Sequence, residues 1–342
     1  MRAALLSAPF AIDMVTHQVP QPGPGEVLLR VQAVSICGSD INAYRGVHPR
    51  IKPPSILGHE LAGEIAAVGE EVDHSLLGAL VCAEPNISCG TCRYCRAGLP
   101  NVCPSYRVLG ESIDLPGGFA EFVAVPARQV YRLPAGISAT LGCIVQPLAI
   151  CYEGVVMRAS VQAGERVFVV GAGPIGIGSL MLARLRGARV MVCDLVPERL
   201  ELARELGAEM TVLADQDVDA AVEDWTFGEG ADVAVEAAGG DQTASMSLAQ
   251  RVTAPRGRIV VMGAFTEKTF PFAIGDLKNK EQTLLGSHGH PGTFAPVLEL
   301  IEDGLLDAAA LVTHRLGLDQ SATAFELLDR RLDGVMKVVV NP

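Results

Sequence analysis

The chain lacks the features that would place it among nucleic-acid-binding or membrane-spanning proteins. Basic residues are in the minority, 27 Lys and Arg against 39 Asp and Glu, which gives a formal net charge of −12. A phosphate-tracking surface is therefore not expected. The uncharged run Val167–Ala183 is broken by glycines and Pro174 and falls short of the usual membrane span. We expect neither nucleic acid nor a membrane among the partners.

Internal repeats, low-complexity segments and a credible export signal are also missing. The apolar start of the chain is broken by Pro9 and halted at Asp13, so a first strand is preferred over a short signal peptide. The 342 residues are 49% hydrophobic and 19% charged, a composition that supports about two folded domains. Nine cysteines, an odd number, favour a reducing compartment, the cytoplasm, over a disulfide framework.

Four of the nine cysteines lie close together in the segment CGTCRYCRAGLPNVC. They are Cys89, Cys92, Cys95 and Cys103, in a C-x2-C-x2-C-x7-C pattern. Four thiolates can complete a tetrahedral shell around one Zn²⁺, and the bound metal can then order a lobe that is poor in apolar residues. A disulfide knot is the alternative, but it suits short secreted chains. Since the shell has no open position, this zinc is expected to be structural.

Two different sequence patterns, one after the other along the chain, predict an α/β protein with two domains. The first 145 or so residues have short apolar runs separated by Gly- and Pro-rich turns, typical of an irregular antiparallel β domain. From about Gly164, β-branched runs alternate with helical patterns, which indicates a doubly wound parallel sheet. The strand at Arg258–Met262 comes late in this sheet and is expected to pair across a two-fold axis. Asp319 is expected to cap a helix that ends near Arg331.

A glycine-rich turn follows the first predicted strand of the second domain. The residues Gly171, Gly173, Pro174, Ile175 and Gly176 belong to a G-x-G-x-x-G motif that opens a helix. The glycines permit the tight turn, the approach of a pyrophosphate and close packing of the helix on the sheet. The helix N-terminus favours the anion through its free N–H groups and its dipole. The sequence therefore predicts a dinucleotide site.

The end of the next strand predicts which dinucleotide is bound. Asp194 would accept hydrogen bonds from the adenosine ribose, and its charge would disfavour a 2′-phosphate, so NAD is expected rather than NADP. A capping or solvated Asp194 is the alternative. Arg199 is placed to stack near the adenine, or else it is a surface arginine.

Several motifs in one order resemble the zinc-containing medium-chain dehydrogenases of the alcohol dehydrogenase superfamily, in the polyol, sorbitol and threonine dehydrogenase branch. They include CGSD, GHELAGEIAAVG, the cysteine lobe, VGAGPIG and the ending DGVMKVVVNP, and they cover nearly the whole chain. The resemblance implies a GroES-like catalytic domain from residues 1–145 and 287–342, with a zinc lobe at 86–104. It implies an NAD-binding Rossmann domain from residues 146–286.

The resemblance also implies a second, catalytic zinc. Cys37 and His59 would be ligands, Glu60 would be a third or an alternating ligand, and Gln146 stands where a Glu or Cys is common. Gln146 could bind the metal directly or through water. Such a zinc keeps an open position, acts as a Lewis acid on a substrate hydroxyl, and leaves NAD to accept the hydride.

A proton relay is implied by the same resemblance. Ser39 matches the hydroxyl residue that passes the substrate proton toward the cofactor ribose. Where relatives often carry a histidine, this chain has Asn42, which cannot act as an acid or base. The relay would then end in water or in His48, although His48 is also explained as an ordinary loop histidine.

The expected activity is oxidation of a secondary alcohol of a polyol or sugar to a ketone, with NAD. An L-threonine 3-dehydrogenase is the nearest alternative, although its relatives often carry Gly where this chain has Ala149. A short-chain alcohol dehydrogenase is another. A non-catalytic NAD-binding redox sensor is the alternative of a different class, suggested by Asn42 and Gln146. A homodimer or homotetramer is expected.

Overall fold

The computed structural model describes residues 1–239, 242–265 and 269–342. The chain divides into two compact units. Unit 1 comprises Met1–Gln146 and Phe294–Pro342, and unit 2 comprises Pro147–Thr293.

Strands outnumber helices in unit 1, whereas strands and helices alternate in unit 2. The strands are β1 (Arg2–Ala8), β2 (Ala11–Thr16), β3 (Glu26–Ser35), β4 (Glu60–Val68), β5 (Leu80–Ala83), β6 (Asn86–Ile87), β7 (Arg107–Val108), β8 (Phe122–Pro126), β9 (Val130–Arg132), β10 (Arg166–Val170), β11 (Arg189–Asp194), β12 (Met210–Leu213), β13 (Ala231–Glu236), β14 (Thr253–Val261), β15 (Thr283–Gly286), β16 (Val312–Gly317) and β17 (Lys337–Asn341). The α-helices are α1 (Gly38–Tyr44), α2 (Arg93–Arg96), α3 (Ala139–Tyr152), α4 (Pro174–Leu185), α5 (Pro197–Glu205), α6 (Val218–Thr226), α7 (Gln242–Val252), α8 (Ile274–Asn279), α9 (Phe294–Glu302) and α10 (Ser321–Arg330).

Unit 1 is built around β3, a strand of ten residues. The main sheet has the order β16-β17-β3-β4-β5-β9, and β8 pairs with the first half of β3. The pairings of β3 with β4, β8 and β17 are antiparallel. Inward side chains of β3 such as Leu29 and Val34 are fully buried in the core of this unit. The mainly antiparallel domain that the turn spacing predicts is present.

Unit 2 holds a six-stranded parallel sheet. Its order is β12-β11-β10-β13-β14-β15, with β10 first in the chain and the order reversing beside it. This is the doubly wound arrangement in which a dinucleotide binds where the order reverses, at the carboxyl ends of the strands. Phe168, Met191 and Ile259 are completely buried under the helices that cover the sheet. The predicted Rossmann sheet is confirmed.

Two expectations about single elements are wrong. The strand at Arg258–Met262, here β14, is paired on one side with β13 and on the other with β15, so it has no edge to offer a second copy. Asp319 does not cap α10. It lies in a short 3₁₀ turn, Leu318–Gln320, and its carboxylate instead accepts hydrogen bonds from Arg2.

The helix α3 continues into a turn of π-helix, Glu153–Arg158. Length and composition alone would allow the combined helix, Ala139–Arg158, to cross a membrane, and the core helices of water-soluble proteins meet the same criterion. Of its most apolar stretch, 67% is buried inside the structure, as in the core helix of a water-soluble protein.

Candidate active site and metal centres

Three segments of unit 1 meet at one end of the main sheet. Ser35, the last residue of β3, lies opposite Glu60, the first residue of β4. The same Ser35 lies opposite Val339 of β17, two residues after Lys337. Cys37 lies two residues after the end of β3, and His59 directly precedes β4. The strand register therefore brings together residues that are far apart in the sequence.

The side chains of Cys37, His59 and Glu60 converge at this end of the sheet. One ligand atom from each, a sulfur, a nitrogen and a carboxylate oxygen, lies within 4.8 Å of the others. His59 and Glu60 are buried, and Cys37 is half-buried. A thiolate, an imidazole and a carboxylate are a donor set that suits Zn²⁺. These residues fit the catalytic zinc that the sequence implies.

Asp40 orients the groups around this cluster. It is 1% exposed, its Oδ2 accepts a hydrogen bond from the backbone N–H of Cys37 at 2.9 Å, and its Oδ1 lies 3.5 Å from Nδ1 of His59. A carboxylate at Nδ1 fixes the ring and leaves Nε2 as the nitrogen available to a metal. Burial alone would lower the pKa of His59, but the charges of Asp40 and Cys37 outweigh it and raise the pKa.

Glu60 is held by a buried lysine. Nζ of Lys337 donates to Oε1 of Glu60 at 2.6 Å, also contacts Oε2, and donates to the carbonyl of Ile36 at 3.0 Å. The hydroxyl of Ser35 donates to Oε2 as well. Burial alone would lower the pKa of Lys337, but Glu60 and Cys37 outweigh it, so the pKa is raised and the lysine stays charged. Glu60 therefore meets a cation before any metal is bound.

Gln146 lies on α3 and is 5% exposed. Its Oε1 has no hydrogen-bond partner among the described residues. Cys143, one turn earlier on the same face of α3, lies near Glu60, whose charge adds to burial in raising the pKa of the thiol to about 12. A buried amide oxygen without a hydrogen-bond partner costs folding free energy, and coordination to a metal ion would supply the missing partner. This observation fits Gln146 as a direct ligand.

The four-cysteine lobe has the geometry of a zinc site. The sulfur of Cys89 lies 3.5 Å from that of Cys103 and 3.9 Å from that of Cys95, and the sulfurs of Cys92 and Cys95 are 3.5 Å apart. A tetrahedral zinc with Zn–S bonds of about 2.3 Å sets its sulfurs about 3.8 Å apart. A disulfide would need about 2.05 Å, and all four cysteines are free. The lobe therefore fits a structural zinc and not a disulfide knot.

Backbone groups prepare the lobe for a cation. The N–H of Cys92 donates to the sulfur of Cys89, and the N–H of Cys95 donates to the sulfur of Cys92, each at 3.4 Å. Hydrogen bonds from Thr91 and Cys92 lower the pKa of Cys89 to about 6. A thiol that is readily deprotonated is ready to bind a metal.

The glycine-rich turn of unit 2 has the form that a pyrophosphate requires. Gly171 has φ +97°, and a Cβ there would lie 2.9 Å from Cα of Ala238. A Cβ on Gly176 would lie 1.7 Å from the carbonyl oxygen of Gly171, whereas beside Gly173 there is open space. Pro174 is the first residue of α4, followed by Ile175, and no side chain caps this helix. The turn thus leaves backbone room and N–H groups for an anion.

Asp194 and Arg199 flank this turn. Oδ2 of Asp194 accepts a hydrogen bond from the N–H of Ala172 at 2.6 Å, and Oδ1 accepts one from the N–H of Val196 at 2.9 Å. The carboxylate therefore fixes the turn. Nη1 of Arg199 lies 4.0 Å from the position that a Cβ of Gly173 would take, so its charge is beside the anion site.

The relay residues are less closely connected. Ser39 is half-buried on α1, and the structure gives its hydroxyl no hydrogen bond to another described residue. The carbonyl of Asn42 accepts hydrogen bonds from the N–H groups of Val47 and His48. Nδ1 of His48 accepts hydrogen bonds from the N–H groups of Arg50 and Ile51, and burial together with Arg50 lowers its pKa.

Sequence reasoning missed Asp40 and Lys337. Asp40 could have been found from its position three residues after Cys37, where an acidic residue reaches back to the start of a helix. Lys337 interrupts the apolar run Val335–Val340 as the first residue of β17, and a buried lysine needs a charged partner. Its partner was not predictable, because Glu60 lies 277 residues earlier.

Comparisons with known proteins agree with this geometry. The family model of the alcohol dehydrogenase GroES-like domain matches residues 23–135, and that of the zinc-binding dehydrogenases matches residues 174–303. The L-threonine 3-dehydrogenase of Pyrococcus horikoshii is 35% identical over 327 residues, which cover 93% of this chain and 92% of the relative. The sorbitol dehydrogenase of Bacillus subtilis is 31% identical over 347 residues, which cover 100% and 97%.

Among solved structures, the short chain alcohol dehydrogenase RspB of Escherichia coli CFT073, in complex with NADH, has a TM-score of 0.92. It is 29% identical, and the match covers 100% of this chain and 99% of that chain. Together the comparisons confirm the predicted GroES-like and Rossmann fold class and the predicted zinc.

Removal of one lobe ligand should cost one zinc without removing the other. We expect Cys95→Ser to lower the zinc content from two ions per chain to one and to lower the melting temperature, because three thiolates and a hydroxyl hold the metal weakly. Elemental analysis and thermal unfolding measure both effects. Cys193→Ser, outside both clusters, should retain two zincs, and two zincs in the Cys95 variant would contradict the assignment.

Loss of the cation beside Glu60 should destabilise the fold. Lys337→Met leaves a buried carboxylate unpaired, so we expect the free energy of unfolding to fall by about 3–5 kcal/mol, measured in urea. The double variant with Glu60→Gln should recover part of this loss, since neither charge is then buried alone. Lys52→Met, at an exposed lysine, is the control. A Lys337→Met protein as stable as the wild type would refute the coupling.

Proposed function

The chain belongs to the zinc-dependent medium-chain dehydrogenases, and we propose that within this family it oxidises a secondary alcohol of a polyol or a sugar to a ketone with NAD. The observation that supports this proposal is the convergence of Cys37, His59 and Glu60 within 4.8 Å, with the unpartnered oxygen of Gln146 on the helix beside them. The sorbitol dehydrogenase of B. subtilis, which aligns with the whole chain, supports the substrate class.

Each residue of the cluster has a distinct role in this proposal. Cys37, His59 and Gln146 would hold the catalytic zinc, with Glu60 as an alternating ligand. Zinc bound there supplies a Lewis acid that lowers the pKa of a substrate hydroxyl. Asp40 keeps the His59 ring in one orientation. Lys337 holds Glu60 back, so that an open position is left for the substrate.

Ser39 would carry the substrate proton away from the site, because a hydroxyl can donate and accept at once. We expect the relay to end in water. His48 is a poor terminus, since its Nδ1 already accepts two backbone hydrogen bonds. A proton could be added to Nδ1 only by breaking both.

The nucleotide would lie on unit 2. Gly171, Gly173 and Gly176 would admit the pyrophosphate, and Asp194 would bind the adenosine ribose. The two N–H groups on Asp194 leave each oxygen with a further lone pair for a ribose hydroxyl. Arg199 would contact the adenine end.

We further propose that the protein works in the cytoplasm as a homodimer or homotetramer. The strand β15 is one edge of the parallel sheet, and among the described strands it pairs only with β14. Leu284 on this strand is 42% exposed. An exposed apolar edge is a surface that oligomers commonly cover.

L-Threonine 3-dehydrogenase is the second candidate. The P. horikoshii relative, at 35% identity, favours it. L-Threonine also presents a secondary alcohol, so the same metal and relay residues would serve. What differs between the two candidates is recognition of an amino acid rather than of neighbouring hydroxyls.

The substrate class can be tested by following NADH absorbance with sorbitol, other polyols, sugars, L-threonine and simple alcohols. We expect the largest kcat/KM with a polyol or sugar. Turnover of L-threonine alone would select the second candidate. Two zincs per chain would favour the enzyme, whereas one zinc with no turnover of any substrate would favour a redox sensor.

In the same assay, Cys37→Ser should lose one zinc and all turnover but retain NADH binding. Cys95→Ser, which also loses one zinc, should retain turnover at low temperature. Equal activity in both variants would contradict the assignment of the catalytic metal.

Ser39→Ala tests the relay. We expect kcat to fall about 10²–10⁴-fold, the range of general acid–base effects, while the dissociation constant of NADH changes little. Stopped-flow measurement of hydride transfer and NADH fluorescence titration separate the two effects. Wild-type turnover in this variant would show that the proton leaves by another route. Ser39→Thr, which keeps the hydroxyl, is the conservative control and should retain turnover.

A further inference from the structure

Unit 2 contains a buried carboxylate that none of the roles above uses. Glu236 is the last residue of β13 and is 0% exposed. Oε1 accepts a hydrogen bond from the hydroxyl of Ser245 at 2.7 Å and one from the N–H of Ala238 at 3.2 Å. Oε2 accepts one from the N–H of Gly263, also at 3.2 Å. No Lys or Arg of the described ranges forms an ion pair with it.

The two backbone partners belong to two different loops. Ala238 follows β13 and Gly263 follows β14, so one side chain joins the segments that leave neighbouring strands. Space is limited around this junction, since a Cβ on Gly263 would lie 2.5 Å from Oε2 of Glu236. The backbone reinforces the link, because the N–H of Met262 donates to the carbonyl of Glu236 at 2.9 Å. Glu236 therefore sets the distance between the loops.

The position of these loops relates them to the cofactor. In a doubly wound sheet the dinucleotide lies across the carboxyl ends of the strands, one mononucleotide on each half. The strands β10, β11 and β12 form the half with the glycine-rich turn and Asp194, which takes the adenosine. The loops after β13 and β14 begin the other half. The N–H of Ala237 donates to the carbonyl of Val170, so the loop after β13 packs beside the pyrophosphate turn.

Stability alone does not account for a carboxylate here. Burial raises the pKa of Glu236, which reflects the cost of keeping the charge without a cation. Yet the site offers three hydrogen-bond donors, and a carboxylate accepts from all of them while donating to none. A glutamine in place of Glu236 would point its NH₂ donor at a second donor, a backbone N–H, and no hydrogen bond could form there. The arrangement is specific for an acceptor of two oxygens.

We propose that Glu236 is a positioning residue for the nicotinamide half of NAD, because it fixes Ala238 and Gly263, in the described residues 237–239 after β13 and 262–265 after β14, where this half would be received. The proposal depends on NAD as the cofactor and not on which alcohol is oxidised. It concerns the binding of the nucleotide alone.

The test compares two nucleotides on Glu236→Gln. NADH carries the nicotinamide and ADP-ribose lacks it, and both contain the adenosine and the pyrophosphate. We expect the dissociation constant of NADH, from fluorescence titration, to rise about tenfold or more, because the amide loses at least one hydrogen bond to a charged acceptor and sets an NH₂ group against an N–H. That of ADP-ribose, from calorimetry, should stay within about twofold. A merely structural role would weaken both nucleotides in the same proportion.

Glu229→Gln is the matched control. Glu229 is also a carboxylate of unit 2, but it is 71% exposed and pairs with Arg166 at the amino end of β10. Its variant should bind both nucleotides as the wild type does. If Glu236→Gln does not fold, Glu236→Asp, too short to reach both loops, is tested by the same comparison. Equal weakening of both nucleotides, or no change in either, would overturn the proposal.

Discussion

The ion pair between Glu60 and Lys337 is the interaction on which the metal centre depends. A carboxylate that is 1% exposed needs a compensating cation, and Lys337 supplies it from the other end of the chain. The pair closes the end of the main sheet where β3, β4 and β17 meet. Cys37 and His59 leave and enter strands at this same place. The last strand of the protein is therefore part of the site, although it provides no metal ligand.

Features whose physics is local could be predicted from the sequence. The cysteine lobe and the glycine-rich turn each lie within a few residues of one strand or helix, so their spacing was sufficient. Features that depend on register could not be predicted. Lys337 meets Glu60 through the pairing of β17 with β3, and β14 lost its expected edge because β15 follows it in the sheet. Asp319 does not cap the helix because its carboxylate accepts a hydrogen bond from Arg2, which lies 317 residues away in the sequence.

Two buried carboxylates serve the two units in different ways. Glu60 is neutralised by an ammonium group, and its two oxygens are shared between Lys337 and Ser35. Glu236 has only neutral donors, which hold it in one position between two loops.

In the proposed site, Gln146 would set the charge of the metal centre. With Glu60 paired to Lys337, the remaining donors are the thiolate of Cys37, the neutral imidazole of His59 and a neutral amide, which together carry one negative charge. A dication held by this set keeps a net charge of about +1, and a Glu in place of Gln146 would reduce it to zero. A more positive centre favours an anionic substrate oxygen over the neutral hydroxyl. In this proposal, such a centre would compensate in part for Asn42, which cannot act as a base, because a more acidic hydroxyl can release its proton to water.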